Sequence, residues 1–175
     1  MIEFLPYFLL VPLSIIIYQD YKYRHIHLIN LIILLVLTIA SLCHYQDKEA
    51  MMSNIFINLL YITGVLSILS IIESIKQRRI YKIIDTKIGK GDVLYLYIVS
   101  LLFCPILFIM YVVASTVFQL TITAISRIIG LRHDKHLPFA GTASIVLIVA
   151  ILLNKFWLNL DWQNSDSVFL LLFSE

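Results

Sequence analysis

Charge is scarce in this chain. Asp, Glu, Lys and Arg make up 14% of its 175 residues, where a soluble domain carries about a quarter. With 61% hydrophobic residues and a mean hydropathy of +0.93, too little polar side chain is left to cover a soluble core, and a membrane protein is expected. The length accommodates about six spans of roughly 20 residues and no independent soluble domain. A net charge of +2 is too small to recruit nucleic acid. The N-terminus, Met1-Ile-Glu-Phe-Leu-Pro, lacks the basic start and the small-residue cleavage site of a secretory signal, so it reads as a retained first helix. The two cysteines, Cys43 and Cys104, have no metal-binding spacing. They read as isolated buried thiols, with a disulfide on the outer face as the alternative. There is no internal repeat and no low-complexity segment.

What is present is a series of apolar runs punctuated by charge. They predict an all-α polytopic fold with six transmembrane helices, at Phe4–Tyr18, Leu28–Cys43, Ile55–Ile72, Val93–Phe103, Ile106–Ile125 and Pro138–Leu153. The division is a six-helix membrane domain over residues 1–154 and an amphipathic outer-face tail over 155–175. The tail ends in an apolar run, Val168–Phe173, that is too short to span and suits the interface. Pro105 separates the fourth and fifth runs and marks a tight turn. Eleven of the thirteen Lys and Arg residues fall in alternate loops, leaving only Lys48 and Lys155 on the other side. Positive-inside asymmetry therefore puts both termini outside and the three basic loops in the cytoplasm, in a multi-pass protein of the cytoplasmic membrane.

Two acids stand out against this background. Asp20 closes the first apolar run, and Asp92, in Gly89-Lys90-Gly91-Asp92, opens the fourth. An acid at a membrane boundary is costly unless solvated or paired. Each has a bland account alone: Asp92 as a helix-starting carboxylate that accepts free backbone N–H groups, Asp20 as an interfacial acid balanced by Lys22 and Arg24. The topology changes the weighing, because it puts both at the same depth on the cytoplasmic face. Two carboxylates held close share a proton and titrate as a unit. One then activates water and the other protonates the carbonyl of a peptide bond, chemistry that needs no metal or cofactor. Gly89 and Gly91, without side chains, would let an extended peptide approach that pair.

Three segments together resemble the membrane-embedded prepilin peptidases, which share a Gly-x-Gly-Asp motif with other intramembrane aspartyl proteases. They are Asp20-Tyr-Lys-Tyr-Arg-His-Ile-His27, Ile88-Gly-Lys-Gly-Asp92-Val, and Leu137-Pro-Phe-Ala-Gly141 at the start of the last span. The resemblance covers nearly the whole chain. It implies an aspartic endopeptidase that removes leader peptides from prepilin-like or pseudopilin-like proteins of a pilus or secretion system. Cleavage in the family falls at the cytoplasmic face, typically after a glycine and before a hydrophobic helix. The implied catalytic pair is Asp20 and Asp92, with Gly89, Gly91, Pro138 and Phe139 shaping the site. The chain departs from the family pattern at His27, where proline is usual and fixes the approach to span two, at Leu94, where many members have lysine, and at Ala140, in place of a glycine. The loop from Gln19 to His27 lacks the paired Cys-x-x-Cys insertion of the longer, N-methylating members, so the short peptidase-only type is the nearer match.

Other constellations carry less. His133, Asp134 and His136 share a basic loop with no further metal-ligating partner and read as solvated. His25 and His27 lie close to Asp20 in sequence and read as interfacial. The basic loop between the third and fourth spans is a poor seat for leaders that are themselves basic. Two further functional classes compete with the peptidase: an inactive scaffold of a pilus or secretion assembly, favoured by the departures at His27 and Leu94, and a proton-coupled transporter, disfavoured because both acids lie at one face instead of the midplane.

Overall fold

The structure is a computed structural model that describes residues 5–43, 45, 47–78, 84, 88–130, 139–158 and 161–164. These form seven α-helices in the order α1 (Leu5–Phe8), α2 (Leu10–Tyr23), α3 (Leu28–Leu42), α4 (Lys48–Gln77), α5 (Lys90–Ser100), α6 (Pro105–Ile128) and α7 (Phe139–Leu153), the last continued by a π-helical turn, Asn154–Leu158. Among the described residues three helices are long and apolar enough to cross a membrane, Lys48–Gln77, Pro105–Ile128 and Phe139–Phe156, and α3 is a shorter apolar helix. Much of α4 is bare, with Phe56, Leu60, Ile68, Ile71 and Ile75 all exposed. An apolar surface of that extent is untenable in water and belongs against lipid.

Local sequence explains where the helices start and stop. The first expected run is broken into α1 and α2, because Pro12 has no N–H to give the Phe8 carbonyl. Asp47 caps α4 by accepting the Ala50 N–H at 3.0 Å. That helix reaches beyond Ile55–Ile72 at both ends, since hydropathy marks the lipid-compatible stretch and not the limits of hydrogen bonding. Pro105 occupies the first turn of α6 after an extended Cys104, where its missing N–H costs nothing. The expected looseness at His27 is not found. His27 sits at φ −69°, close to the proline value, and its N–H donates to Gln19 Oε1 at 3.1 Å, a bond proline cannot make. The turn between α2 and α3 is thereby fixed by a different device.

α5 is the central helix, packed on α3, α4 and α7, while α2 lies mainly on α7, and α7 also on α6. Small residues permit the α2–α7 approach: Ala140, Gly141, Ala143 and Ser144 are all buried. Lipid-soluble helices associate through such close packing and through interhelical hydrogen bonds worth about 0.6 kcal/mol each on average. Between α5, α6 and α7 the bonds run from Tyr95 Oη to Tyr111 Oη, 3.0 Å, and from Tyr111 Oη to the Ala143 carbonyl, 3.0 Å. At one end of the bundle Asn58 of α4 donates to the Ser100 and Phe103 carbonyls, each at 2.8 Å. Trp162 stacks on Phe103 there, and Gln163 Nε2 reaches the Leu101 carbonyl at 2.7 Å. The start of the expected tail thus folds back onto α5, whereas its Val168–Phe173 run lies outside the described residues. Both cysteines are free. Cys104 is buried as expected, but Cys43, at the exposed end of α3, is not.

Candidate active site

The opposite end of the bundle gathers the C-terminus of α2 and the N-termini of α5 and α7. Asp20 lies in the last turn of α2, which stops at Arg24 in the left-handed region, φ 58°, with the Arg24 N–H returning to the Asp20 carbonyl. Asp92 lies three residues after Gly89, the N-cap of α5. From that position its carboxylate reaches back to the Gly89 backbone, as the third residue of a capping box does. The capping account of Asp92 is therefore part of the truth. The remainder is tertiary: Asp92 Oδ1 also accepts the Ala140 N–H at 3.1 Å, and Asp20 Oδ2 accepts the N–H of the next residue, Gly141. Two successive peptide N–H groups at the positive end of α7 thus hold the two carboxylates.

Asp20 and Asp92 line a single cavity of about 260 Å³ with Arg24, His25, Ile26, Gly89, Lys90 and Gly91. Both carboxylates lie just beyond the apolar runs of their helices, and both have raised pKa values. For Asp20 the main cause is burial, opposed by the Gly141 amide and by the Arg24 charge. For Asp92, burial and then the negative charge of Asp20 push the value to about 6, against the lowering effect of the Ala140 and Gly89 amides. Asp92 is thus the member that keeps a proton, and Asp20, bonded to Gly141 and facing Arg24, is the member that ionises first.

The glycines have separate reasons to be there. A Cβ on Gly89 would stand 3.1 Å from Asp92 Oδ2, and one on Gly91 would meet Ile26 Cδ1 at 3.4 Å. The tightest is Gly141, where a Cβ would lie 3.0 Å from Asp20 Oδ2 and 3.1 Å from Tyr21 Cδ2. Gly141 and the Ala140 amide are site elements that sequence reasoning named only as part of a motif. Their signal was the Phe-Ala-Gly run, whose importance lies in backbone N–H groups that no side-chain pattern displays. Behind them, the buried Thr142 hydroxyl bonds the side chain of Gln119 from α6 and so ties the first turn of α7 to its neighbour.

Of the other expected site residues, Phe139 is the first residue of α7 and partly buried, packing against the core cluster. Pro138 lies outside the described residues, as does the His133, Asp134 and His136 loop. His25, read as interfacial, sits on the cavity wall, its Nδ1 2.8 Å from the Tyr23 carbonyl and its ring 5.1 Å from that of His27. Among the described residues no group of three or more His, Cys, Asp or Glu side chains is placed to hold a metal ion. Comparison with protein-family models, curated proteins and solved structures finds no match to this chain.

Proposed function

We propose that the chain is a membrane-embedded aspartic endopeptidase whose catalytic pair is Asp20 and Asp92. The observation that carries this reading is the placement of the two carboxylates, from helices 72 residues apart in sequence (20 to 92), on successive backbone amides of α7. In the reaction, ionised Asp20 takes a proton from a water molecule, which attacks the peptide carbonyl. Protonated Asp92 donates to the carbonyl oxygen and, after the intermediate forms, the pair returns a proton to the leaving amine. The amides of Ala140 and Gly141 hold the acids without donating to substrate. Gly89 and Gly91 keep the wall of the cavity low, which suits an extended peptide segment.

The substrate class follows from the resemblance and from the setting: a prepilin-like or pseudopilin-like protein with a leader, a glycine and a hydrophobic helix. Six membrane spans with the basic loops in the cytoplasm would give the dyad access to a junction at the inner face of the cytoplasmic membrane. Lys22, Arg24, Lys76, Arg78, Lys90 and Arg127 all lie at helix ends directed toward the dyad end of the bundle, in keeping with that orientation.

Co-expression with a protein of this design tests the reading. Wild type is expected to shorten it at the leader junction. Asp20→Asn and Asp92→Asn are expected to be inserted and folded but to leave it intact. Equal processing by either variant removes the dyad mechanism. Assembly function retained by both variants in a deletion strain favours the scaffold instead.

A further inference from the structure

α5, which carries Asp92, is covered by α3, α4 and α7, yet α3 and α4 do not close against each other over it. The reason lies in α4. Its buried residues, Met51, Asn58 and Ile62, all belong to its first half, the half tied down by Asn58 and by the Thr63–Tyr97 hydroxyl contact of 3.0 Å. After Ile62 no described residue of α4 is fully buried, and Leu66, partly buried against the core, is followed by mostly exposed residues, so the half nearer the dyad is the more loosely packed. The seam left between α3 and α4 is a cavity of about 330 Å³ floored by α5. Leu31 and Leu35 of α3, Leu59 of α4, and Leu94, Ile98 and Leu101 of α5 line it. The Tyr97 ring also faces it, with the hydroxyl engaged by Thr63.

We infer that this seam seats the hydrophobic helix of the polypeptide whose junction lies at Asp20 and Asp92. The inference rests on the peptidase reading and adds the place where substrate binds. Three observations select this occupant. The wall is apolar along its length, so it offers a peptide helix side-chain packing and no charge. The seam adjoins the dyad cavity: Lys90 and Gly91, which line that cavity, lie one turn before Leu94 on the same face of α5, and Leu28, which also lines the seam, follows by two residues Ile26, the neighbour of Gly91 in the dyad cavity. Finally, a helix lying along α5 completes the ring of helices around it. Its end is delivered to the turn where Gly89 and Gly91 leave room for extended chain, and where a scissile bond must be free of helical hydrogen bonding. A lipid acyl chain would also fit an apolar wall but has no reason to end at a carboxylate pair.

The test uses full-length Asp92→Asn protein in membranes with photoreactive benzoylphenylalanine in place of Leu35, Leu94, Ile71 or Val117. The last two are exposed positions on α4 and α6 away from the seam. The probe is a synthetic peptide with a lysine-containing leader ending in glycine, followed by about 20 Leu and Ala residues, enough for one span. Adducts from Leu35 and Leu94 at least tenfold above those from Ile71 and Val117 are expected. Equal labelling at all four positions, no adduct at the seam, or seam adducts to phospholipid alone overturns the inference, whether or not wild type cleaves the probe. Seam adducts without wild-type cleavage uphold the helix seat and remove the peptidase reading, so the two failures are distinct. Filling the seam with Leu35→Trp is expected to raise KM for the probe about tenfold. The same variant should leave cleavage of a leader peptide lacking the apolar helix unchanged; equal losses on both peptides count against the seam.

Discussion

The two ends of α5 solve the same physical problem in opposite ways. Both bury polar groups where water is scarce. At the C-terminal end, neutral side-chain amides from Asn58 and Gln163 satisfy the carbonyls of Ser100, Leu101 and Phe103. At the N-terminal end, backbone amides of Ala140 and Gly141 satisfy two carboxylates. The first arrangement pairs neutral donors with neutral acceptors and is a staple. The second brings together two carboxylates, and burial, then the charge of Asp20, raises the pKa of Asp92 against the pull of its amide donors. A bundle that needed only cohesion would use the first kind at both ends.

Substitutions can separate the two ends. The largest expected effect is on catalysis at the dyad: Asp20→Asn or Asp92→Asn should lower leader cleavage by roughly 10²–10⁴-fold or more, the usual range for removing a general acid or base. Folding should move the other way. Ionising Asp92 is unfavourable in the folded state, so that penalty is absent below pH 3.8, grows through about pH 6 and is complete above it. Asp92→Asn should therefore match or exceed wild type in thermal stability at pH 7.5 and lose that advantage near pH 4, read by thermal melts in detergent. A melt that is lower at pH 7.5 would mean that the site is a staple after all.

Gly141→Ala comes next. Its Cβ forces α2 from α7 at Asp20, and a displacement of about 1 Å at a catalytic pair costs on the order of 10²-fold in rate. Gly64→Ala, where nothing lies within 4 Å, is the control and should be neutral or stabilising by up to about 1 kcal/mol, the difference in helix propensity. At the staple, Asn58→Leu strands two carbonyls and is expected to destabilise by about 1–3 kcal/mol while leaving the rate per folded molecule close to wild type. The smallest effect is a titration. In Asp20→Asn the negative charge that raises Asp92 is gone, so the carboxyl band of Asp92 in infrared spectra should titrate below about pH 6. An unchanged midpoint would show that the two acids do not interact.

The helical class, the positions of α3 to α7 and the identity of both acids were legible in the sequence, for physical reasons that differ. Membrane helices are announced by hydropathy because the bilayer demands apolar surface over a fixed length. Asp20 and Asp92 are conspicuous because each stands at the boundary of an apolar run. The break at Leu9, the full length of α4 and the role of Gly141 were less legible. Pro12 was visible, but a proline in a membrane helix is often accommodated instead of breaking it. Apart from the Phe-Ala-Gly run around them, the amides of Ala140 and Gly141 are not marked by any side chain, since every residue except proline carries a backbone N–H. His27 illustrates the limit of motif reading: a departure from the proline pattern is compensated by a hydrogen bond to Gln19, eight residues earlier.

The two successive amides of α7 that bond the acids also set an order of events. Asp20 and Asp92 are synthesised well before Ala140 and Gly141. Until α7 packs beside α2, the two amides that donate to the carboxylates are missing from the site. The paired site is therefore assembled only when α7 docks, and a chain halted before that helix should lack it with both aspartates already in place.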